Sequence, residues 1–360
     1  MAGFPMHLLT KLGIDHPIIQ APMAGVSTPA MAAAVSNAGG LGSIGVGAVD
    51  ALRAQEMIAQ VRSGTDRSFN VNLFVHAAPR QDPDRDAAWL KRLKPNFERF
   101  DAQPPERLRV IYKSFADDPD MLDMLVQERP PVVSFHFGLP GPETIDALKA
   151  AGCVLLASAT NLEEAQAIET AGIDAVIAQG FEAGGHRGMF DPALPDAALG
   201  TVALTRLLVE RASLPVIAAG GIMDGQGIAA ALSLGAEAAQ LGTAFVACPE
   251  SSVDEAYRAA LKSDSAHQTV MTHAISGRPA RCLSNAFTRW AETAAPVSPP
   301  DYPVAYDAGK ALNSAAKAAG AYGFGAQWAG QGAPLARAMP AADLVETLIK
   351  ELADVNRRAP

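Results

Sequence analysis

Short apolar runs alternate with helix-like stretches over the first 248 residues of the chain. Each run has the length of a buried strand in a parallel sheet, and turn residues such as Gly and Pro bound most of them. Eight runs are found, at residues 17–23, 41–45, 69–74, 131–138, 153–158, 175–178, 214–221 and 238–245. Eight βα repeats predict an α/β fold, the (β/α)8 TIM barrel.

An open doubly wound sheet is the alternative architecture, and one motif bears on it. Residues 40–45 match G-x-G-x-x-G, and Asp66 follows at about the spacing of a dinucleotide-binding fingerprint. That fingerprint must follow a strand and open a helix. Here the glycines close the helix predicted between Thr28 and Gly39 and form the next strand. The eight strands and the lack of a sound dinucleotide loop favour the barrel.

Two stretches depart from the barrel pattern. Residues 77–130 are rich in Pro, Arg, Asp and Lys and too long for an ordinary βα loop, which predicts an insertion with one or two helices. After residue 248 the β/α rhythm stops, and a Pro-rich break precedes the Ala-rich run 304–319. We therefore predict a barrel at 1–248, a smaller and mainly helical domain at 249–324, and a C-terminal loop and helix at 325–360 that return to the barrel.

Charge and cysteine content narrow the function classes. The formal net charge is −9, and no basic patch is concentrated enough to bind nucleic acid. Cys153, Cys248 and Cys282 form no CxxC pair, which indicates a reducing, cytoplasmic compartment without a disulfide framework. The N-terminus lacks the pattern of a signal peptide. Polar and turn residues interrupt the uncharged segment 17–49, which indicates buried core rather than a membrane span.

A glycine-rich stretch follows the sixth predicted strand. Residues 179–188 read Gln-Gly-Phe-Glu-Ala-Gly-Gly-His-Arg-Gly, with four glycines, His186 and Arg187. Glycines let a backbone turn sharply and approach a ligand closely. In a barrel, such a loop lies at the C-terminal face, where active sites are built. A plain βα turn with an incidental surface histidine is the alternative, and Arg187 has no evident role.

The loops after the seventh and eighth strands carry the clearest binding signal. Residues 219–222 (Ala-Gly-Gly-Ile) and 240–243 (Gln-Leu-Gly-Thr) offer backbone N–H groups at the corner where barrels commonly hold a phosphate. Tight packing that requires glycine is the alternative. The occurrence of both loops at the expected strands favours a phosphate site.

Uncharged polar side chains gather at the same predicted face. Residues 20–23, Asn72, His136, Gln179 and His186 all fall at strand ends. Amides suit a heteroaromatic ring with mixed donors and acceptors, and neutral side chains suit a redox cofactor better than a metal. No two histidines have ligand spacing with a carboxylate, so a metal site is not expected. Both histidines could instead be satisfied core residues.

Tyr302, Tyr306 and Lys310 are spaced four residues apart. On a helix this spacing places two hydroxyls and an ammonium group on one face, which suits an anion. A solvated stripe is the alternative. The position after a Pro-rich break makes the segment a candidate lid or wall of the site.

These motifs together resemble the nitronate monooxygenase family, formerly called 2-nitropropane dioxygenase. The resemblance rests on residues 17–25, 72–74, 179–186, 219–221 and 240–243. It covers the whole barrel and extends into the added domain, where Tyr302, Tyr306 and Lys310 resemble the pattern of the bacterial class I members. The glycine-histidine loop is specific to this group, whereas many flavin barrels share the other two loops.

The resemblance implies an FMN enzyme that oxidises alkyl nitronates, such as propionate 3-nitronate, with O2 to a carbonyl compound and nitrite, a detoxification reaction. It implies that His186 is catalytic, bonded to the substrate nitro group or acting as a base. The implied cofactor-binding residues are Ala21, Met23, Asn72, Gln179, Gly184, Gly221, Gln240, Gly242 and Thr243, with the phosphate on Gly221, Gly242 and Thr243. The implied substrate-binding residues are Tyr112, His136, Tyr302, Tyr306 and Lys310.

Two other functions fit the same pattern. A related FMN barrel that reduces an enoyl thioester or a quinone with NAD(P)H would share the cofactor loops. A flavin-free barrel lyase or isomerase would use the phosphate corner for a phosphorylated substrate. In each case the expected partners are small molecules, and the chain is expected to be a monomer or homodimer.

Overall fold

The computed structural model describes residues 7–293 and 297–358. Its strands are β1 (Ile18–Gln20), β2 (Gly42–Gly45), β3 (Phe69–Phe74), β4 (Val132–His136), β5 (Val154–Ala159), β6 (Ala175–Gln179), β7 (Gly185–His186), β8 (Val216–Ala219), β9 (Ala238–Leu241), β10 (Thr269–Thr272) and β11 (Ala280–Leu283).

The helices alternate with the strands of the first sheet and then continue without them. They are α1 (His7–Leu12), α2 (Pro29–Asn37), α3 (Ala51–Gly64), α4 (Pro83–Glu98), α5 (Pro119–Glu128), α6 (Pro142–Ala150), α7 (Leu162–Thr170), α8 (Thr201–Arg211), α9 (Gly225–Ser233), α10 (Thr243–Val246), α11 (Glu255–Leu261), α12 (Ala286–Thr293), α13 (Val304–Ala318) and α14 (Ala341–Arg358).

Eight parallel strands form the predicted barrel. Their order is β1-β9-β8-β6-β5-β4-β3-β2, and a parallel bridge between Ile19 and Leu41 joins the two ends of the sheet. The prediction of a (β/α)8 barrel is confirmed. Strands β1, β4, β8 and β9 end before their apolar runs do, because the residues at their C-terminal ends leave the sheet. The eighth run continues past β9 into α10, which the apolar pattern alone did not separate from the strand.

Side-chain caps start the barrel helices where the sequence predicted. The Thr28 hydroxyl accepts a hydrogen bond from the Met31 N–H at 3.1 Å. The Asn161 side chain accepts one from the Glu164 N–H at 2.9 Å. Such caps satisfy backbone donors that a helix end leaves without partners, and so they fix where each helix begins.

The barrel interior is closed at its N-terminal end by α1. Leu8 and Leu12 are fully buried against Val132, Ala175 and Ala238, each the first residue of its strand. This apolar plug leaves the opposite, C-terminal end of the barrel open for a site, as the fold normally does.

The last helix, α14, packs against α9 and α2 on the outside of the barrel. The Glu351 carboxylate accepts a hydrogen bond from the Gly225 N–H at 2.9 Å and one from Arg337 at 2.6 Å. The chain thus ends on the barrel after building the added segment.

A cap over the C-terminal face is built from two distant parts of the sequence. In one apolar cluster, Trp89 and Phe97 of α4 pack with Phe287 of α12 and Leu312 of α13. The helix of the insertion therefore belongs to the cap, whereas α5 packs against α3 and α6 of the barrel.

The cap also contains an antiparallel sheet that the sequence did not predict. Strands β10, β11 and β7 lie side by side, and β7 is part of the glycine-rich stretch interpreted as a loop. These strands are two to four residues long and mix polar with apolar positions. They lack the alternation that would reveal a strand. In the part of the chain that the structure describes, no helix is long and apolar enough to cross a membrane.

We predict that Gly225→Ala destabilises the fold by about 1–3 kcal/mol, the usual effect of overpacking. An added Cβ would lie 2.3 Å from the Glu351 Cβ and 2.4 Å from the Leu352 nitrogen. Urea unfolding of the purified variant measures the loss.

The matched control is Gly141→Ala at the start of α6, where an added Cβ meets nothing within 4 Å. Equal stability of the two variants would contradict the close docking of α14.

Candidate functional site

One cavity of about 720 Å³ lies between the C-terminal ends of the barrel strands and the cap. Every residue predicted for the site lines it: Ala21, Met23, Asn72, Tyr112, His136, Gln179, Gly184, His186, Gly221, Gln240, Gly242, Thr243, Tyr302, Tyr306 and Lys310. Positions far apart in the chain thus converge on one cavity, whereas their individual roles stay predictions.

The carbonyl oxygen of His186 is held by two side chains from the barrel. Gln179 Nε2 donates to it at 3.0 Å, and His136 Nε2 lies 3.2 Å away. Because a carbonyl oxygen only accepts, the His136 proton is on Nε2. Its Nδ1 then accepts from the Ser158 hydroxyl at 3.0 Å. His136 is neutral, since burial lowers its pKa to about 4.

The glycine-rich stretch is folded back on its own side chains. Gln179 Oε1 accepts a hydrogen bond from the Gly188 N–H at 2.7 Å. Arg187 is 1% exposed and donates to both Asp196 carboxylate oxygens, at 2.8 and 3.0 Å. Its third donor bonds the Gln179 carbonyl oxygen at 2.8 Å. Arg187 therefore has a structural role, which the sequence left open: it clamps the segment that carries His186.

The cap holds the same stretch from the other side. His186 pairs with Ala280 of β11, and Gly185 pairs with Arg281. Gly184 must be glycine, because an added Cβ would lie 2.4 Å from the Gly330 nitrogen. His186 is thus fixed between barrel and cap.

Aromatic rings surround the His186 imidazole. The ring centroids of Trp328, Tyr302 and Phe137 lie 4.9, 5.3 and 5.6 Å from its own. Burial in this apolar enclosure lowers the pKa of His186 well below 6.5, and the neighbouring Arg278 lowers it further. His186 is therefore a neutral imidazole near pH 7.

Ser276 selects the tautomer of that imidazole. His186 Nε2 lies 2.9 Å from Ser276 Oγ, and the Ser276 hydroxyl donates to the Arg278 carbonyl oxygen at 3.3 Å. A hydroxyl has only one proton to donate, so His186 Nε2 is the donor to Ser276 Oγ. The unprotonated Nδ1 is left as the free acceptor of the ring.

The cap supplies one cation and several hydroxyls. Tyr306 and Lys310 lie one turn apart on α13, but Tyr302 precedes the helix, so the prediction that all three share one helical face is wrong for Tyr302. The reason is that Pro303 takes the cap position of α13, so Tyr302 lies before the first turn. Tyr302 nevertheless lines the cavity, and among the described residues its buried hydroxyl has no hydrogen-bond partner.

Lys310 faces the rings of two tyrosines. Its Nζ lies 4.8 Å from the Tyr112 ring centroid and 5.5 Å from that of Tyr306. Such contacts stabilise an ammonium group without neutralising it. The side chain is exposed to the cavity, and partial desolvation lowers its pKa. Burial raises the pKa of Tyr112 to about 12, so its hydroxyl stays protonated.

The loops after β8 and β9 form the predicted corner. Gly220 and Gly221 have φ values of +118° and +72°, a region that favours glycine. Within residues 7–293 and 297–358, the N–H groups of Gly221, Gly242 and Thr243 have no acceptor. The buried Gln240 Oε1 also lacks a partner. Free donors and an unpaired amide oxygen are what a phosphate and a polar ring would engage.

Several residues around His186 were not found from the sequence. Phe137, Ser158, Ser276 and Trp328 contact His186 or His136. Only Trp328 carried a usable signal, as the one tryptophan in the glycine-rich loop 323–332. The described residues contain no group of three His, Cys, Asp or Glu side chains placed to hold a metal ion.

Two nitronate monooxygenases are similar to this chain over nearly their whole length. That of Paraburkholderia phytofirmans is 60% identical over 96% of this chain and 94% of its own. That of Pseudomonas aeruginosa is 59% identical over 95% and 97%.

Solved structures show the same architecture. The nitroalkane oxidase of Streptomyces ansochromogenes superposes with a TM-score of 0.88 at 40% identity, over 97% of this chain and 99% of its own. FabK of Thermotoga maritima superposes with a TM-score of 0.74 at 31% identity, over 98% and 97%. The sequence model of the nitronate monooxygenase family matches residues 6–351. The chain therefore belongs to the nitronate monooxygenase family of oxidoreductases, as its motifs predicted.

Proposed function

We propose that this enzyme oxidises alkyl nitronates, such as propionate 3-nitronate, with O2 to a carbonyl compound and nitrite, using bound FMN, and so detoxifies them. One observation carries the proposal: a single cavity joins a corner suited to FMN to a cationic wall, with neutral His186 between them. The similarity to named nitronate monooxygenases and to a nitroalkane oxidase supports it.

The residues present fit FMN. The free N–H groups of Gly221, Gly242 and Thr243 would hold its phosphate. Neutral polar and small residues would hold the ring and ribityl chain: Ala21, Met23, Asn72, Gln179, Gly184 and Gln240. Of these, Gln240 has a buried oxygen in need of a donor. When bound, FMN supplies the electron acceptor that a nitronate needs and that O2 reoxidises.

The cap would bind the anion. A nitronate carries its negative charge on the nitro oxygens, and Lys310 presents an ammonium group to the cavity. The Tyr302 hydroxyl is protonated, because burial raises its pKa well above 10, and it has no other acceptor. We assign the nitro oxygens to Lys310 and Tyr302, two donors that the apolar enclosure makes stronger.

His186 would act only when a proton must be removed. In the tautomer set by Ser276, Nδ1 is an acceptor and is free to take the α-proton of a neutral nitroalkane. A nitronate has already lost that proton. We therefore assign His186 to the use of neutral nitroalkanes and not to the binding of nitronates.

An NAD(P)H-dependent FMN reductase is the alternative, because the superposition on FabK covers nearly the whole chain. The enclosed cap and its cation favour a small anion over a long thioester.

We also propose, as the sequence predicted, a cytoplasmic protein that is a monomer or homodimer. The three cysteines are free and buried, which agrees with a reducing compartment.

We predict that the purified protein is yellow and is bleached rapidly by a nitronate under anaerobic conditions, but slowly by NADH or NADPH. With O2 present, nitronate turnover should release nitrite and consume oxygen. Stopped-flow absorbance and a nitrite assay measure both. Rapid bleaching by NAD(P)H without nitrite release would favour the reductase, and a colourless protein would favour a flavin-free enzyme.

We predict that Lys310→Met raises the KM for a nitronate about ten- to hundredfold, the usual loss for a charged hydrogen bond. The flavin absorbance should not change, because the predicted cofactor residues are elsewhere. Steady-state kinetics at constant ionic strength give the values.

The control for Lys310→Met is Lys350→Met, which removes an exposed lysine on α14 outside the cavity. An unchanged KM in the Lys310 variant would remove the lysine from the anion site.

We predict that His186→Asn lowers kcat/KM for a neutral nitroalkane at least about a hundredfold. Nitronate turnover should fall by less than about tenfold, since no proton is removed.

In the wild type, the lowered pKa of His186 keeps the base unprotonated. Nitroalkane kcat/KM should therefore stay level from pH 8 to below pH 6.5 and fall only as the pH drops through that lowered pKa.

Equal turnover of both substrates by the His186 variant would show that His186 is not the base. Flavin content, measured by absorbance, is the control for an intact site.

A further inference from the structure

Arg278 is a buried cation without an ion-pair partner. It is 3% exposed, and among the residues that the structure describes no carboxylate forms a salt bridge with it. One terminal nitrogen donates to the Met189 carbonyl oxygen, and Nε has no acceptor. Burying a charge is costly unless it is paired, so an unpaired guanidinium calls for an explanation.

The two carboxylate groups that act electrostatically on Arg278, those of Glu164 and Asp191, are engaged elsewhere. Glu164 Oε2 accepts from the Thr160 N–H at 2.6 Å and hydroxyl at 2.8 Å, while Oε1 accepts from the Phe190 N–H at 2.9 Å. Asp191 Oδ1 accepts from the Ala193 N–H at 2.9 Å. Their negative charges act on Arg278 through space and partly offset the lowering of its pKa by burial, but neither carboxylate forms an ion pair with it.

The flat face of Phe137 separates Arg278 from the site. The guanidinium carbon lies 4.2 Å from the Phe137 ring centroid. On its other sides, Phe137 meets His186 edge to face at 5.6 Å and Tyr302 at 5.3 Å. Phe137 has φ +79°, a conformation that a bulky residue adopts only when its surroundings impose it. Arg278 is not among the residues that line the cavity, so its charge acts there across Phe137.

We propose that Arg278 is a specificity-determining residue: acting across Phe137, its charge favours an anionic nitronate over the neutral nitroalkane. The inference rests on the proposed function. The charge attracts an anion at the cavity and weakens His186 as a base. Both effects select the substrate that has already lost its proton.

The distances make the effect large enough to matter. The two contacts place the guanidinium within about 10 Å of the His186 ring, a range over which a unit charge inside a protein is little screened. Burial is the main cause of the lowered pKa values of His186, His136 and His76, and Arg278 lowers all three further.

Few other charges face His186. His136 from β4 and His76 after β3 are both neutral, since burial lowers their pKa to about 4. Tyr302, before α13, and Tyr306, on it, keep their protons because burial raises their pKa values. Arg278 is charged and adjacent, and Lys310 lies farther along α13.

The test compares Arg278→Met with Arg278→Lys, which keeps the charge but loses the planar group. The matched control is Arg92→Met on α4. Arg92 is half-buried and also lies over aromatic rings, but those rings are Trp89 and Trp290, outside the cavity. Two quantities are measured: the ratio of kcat/KM for a nitronate to that for its parent nitroalkane across pH, and the His186 titration by NMR of histidine-labelled protein. Single His→Gln variants assign the signals of the seven histidines.

The expected result is a higher His186 pKa in Arg278→Met, because removing a nearby positive charge favours the protonated imidazole. The ratio should fall about tenfold at neutral pH, and the acid limb of nitroalkane turnover should move to higher pH. Arg278→Lys and Arg92→Met should both resemble the wild type.

An unchanged ratio and titration in folded Arg278→Met would overturn the proposal, as would an equal shift in Arg92→Met. Should the Met variant not fold, Arg278→Lys decides: a wild-type ratio and titration support the charge, and altered ones overturn it. The NMR titration needs no substrate. Absence of nitrite from the wild-type enzyme would therefore contradict the proposed function and leave the electrostatic test in place.

Discussion

The position of His186 depends on its own carbonyl oxygen. Gln179 and His136, from the ends of two barrel strands, converge on this atom, while β11 of the cap pairs with the same short strand. A carbonyl oxygen has two lone pairs, so it can accept from both side chains and leave neither buried donor without a partner. Main-chain bonds thus fix His186 while its ring stays free for chemistry. Gln179 and His136 were both predicted to contact a ligand, but the polar atoms of their side chains form hydrogen bonds within the protein.

The site divides between a barrel that presents neutral groups and a cap that presents charge. The barrel contributes free N–H groups and amides, which suit an uncharged ring and a phosphate. The cap contributes Lys310, Tyr302 and Tyr306. The insertion reinforces the cap: Arg85 of α4 bonds Asp301, and Arg80 bonds it too, which lowers the pKa of Asp301 to about 2. Two segments more than 200 residues apart therefore set the position of Tyr302.

The sequence predicted the barrel and the residues that meet at its face, because eight apolar runs and their glycine-rich ends follow directly from strand burial and loop geometry. It did not predict β7, which depends on pairing with the cap, or the start of α13 after Tyr302, which depends on backbone shape at prolines. Ser276 and Arg278 were also missed. A serine or an arginine has no local pattern that reveals which ring it faces after folding.

Selection between a nitronate and its parent acid is an electrostatic problem, since the two differ by one proton. An apolar enclosure alone would disfavour the anion, because removing a charge from water is costly. This enclosure is flanked by Lys310 on the cap side and by Arg278 behind Phe137, and it contains histidines whose pKa values are lowered. The same positive charges that compensate an anion make a neutral imidazole a weaker base. The positive charges of Lys310 and Arg278 would therefore favour the nitronate and disfavour proton removal from the nitroalkane. The selectivity for the nitronate would then exceed what either effect gives alone.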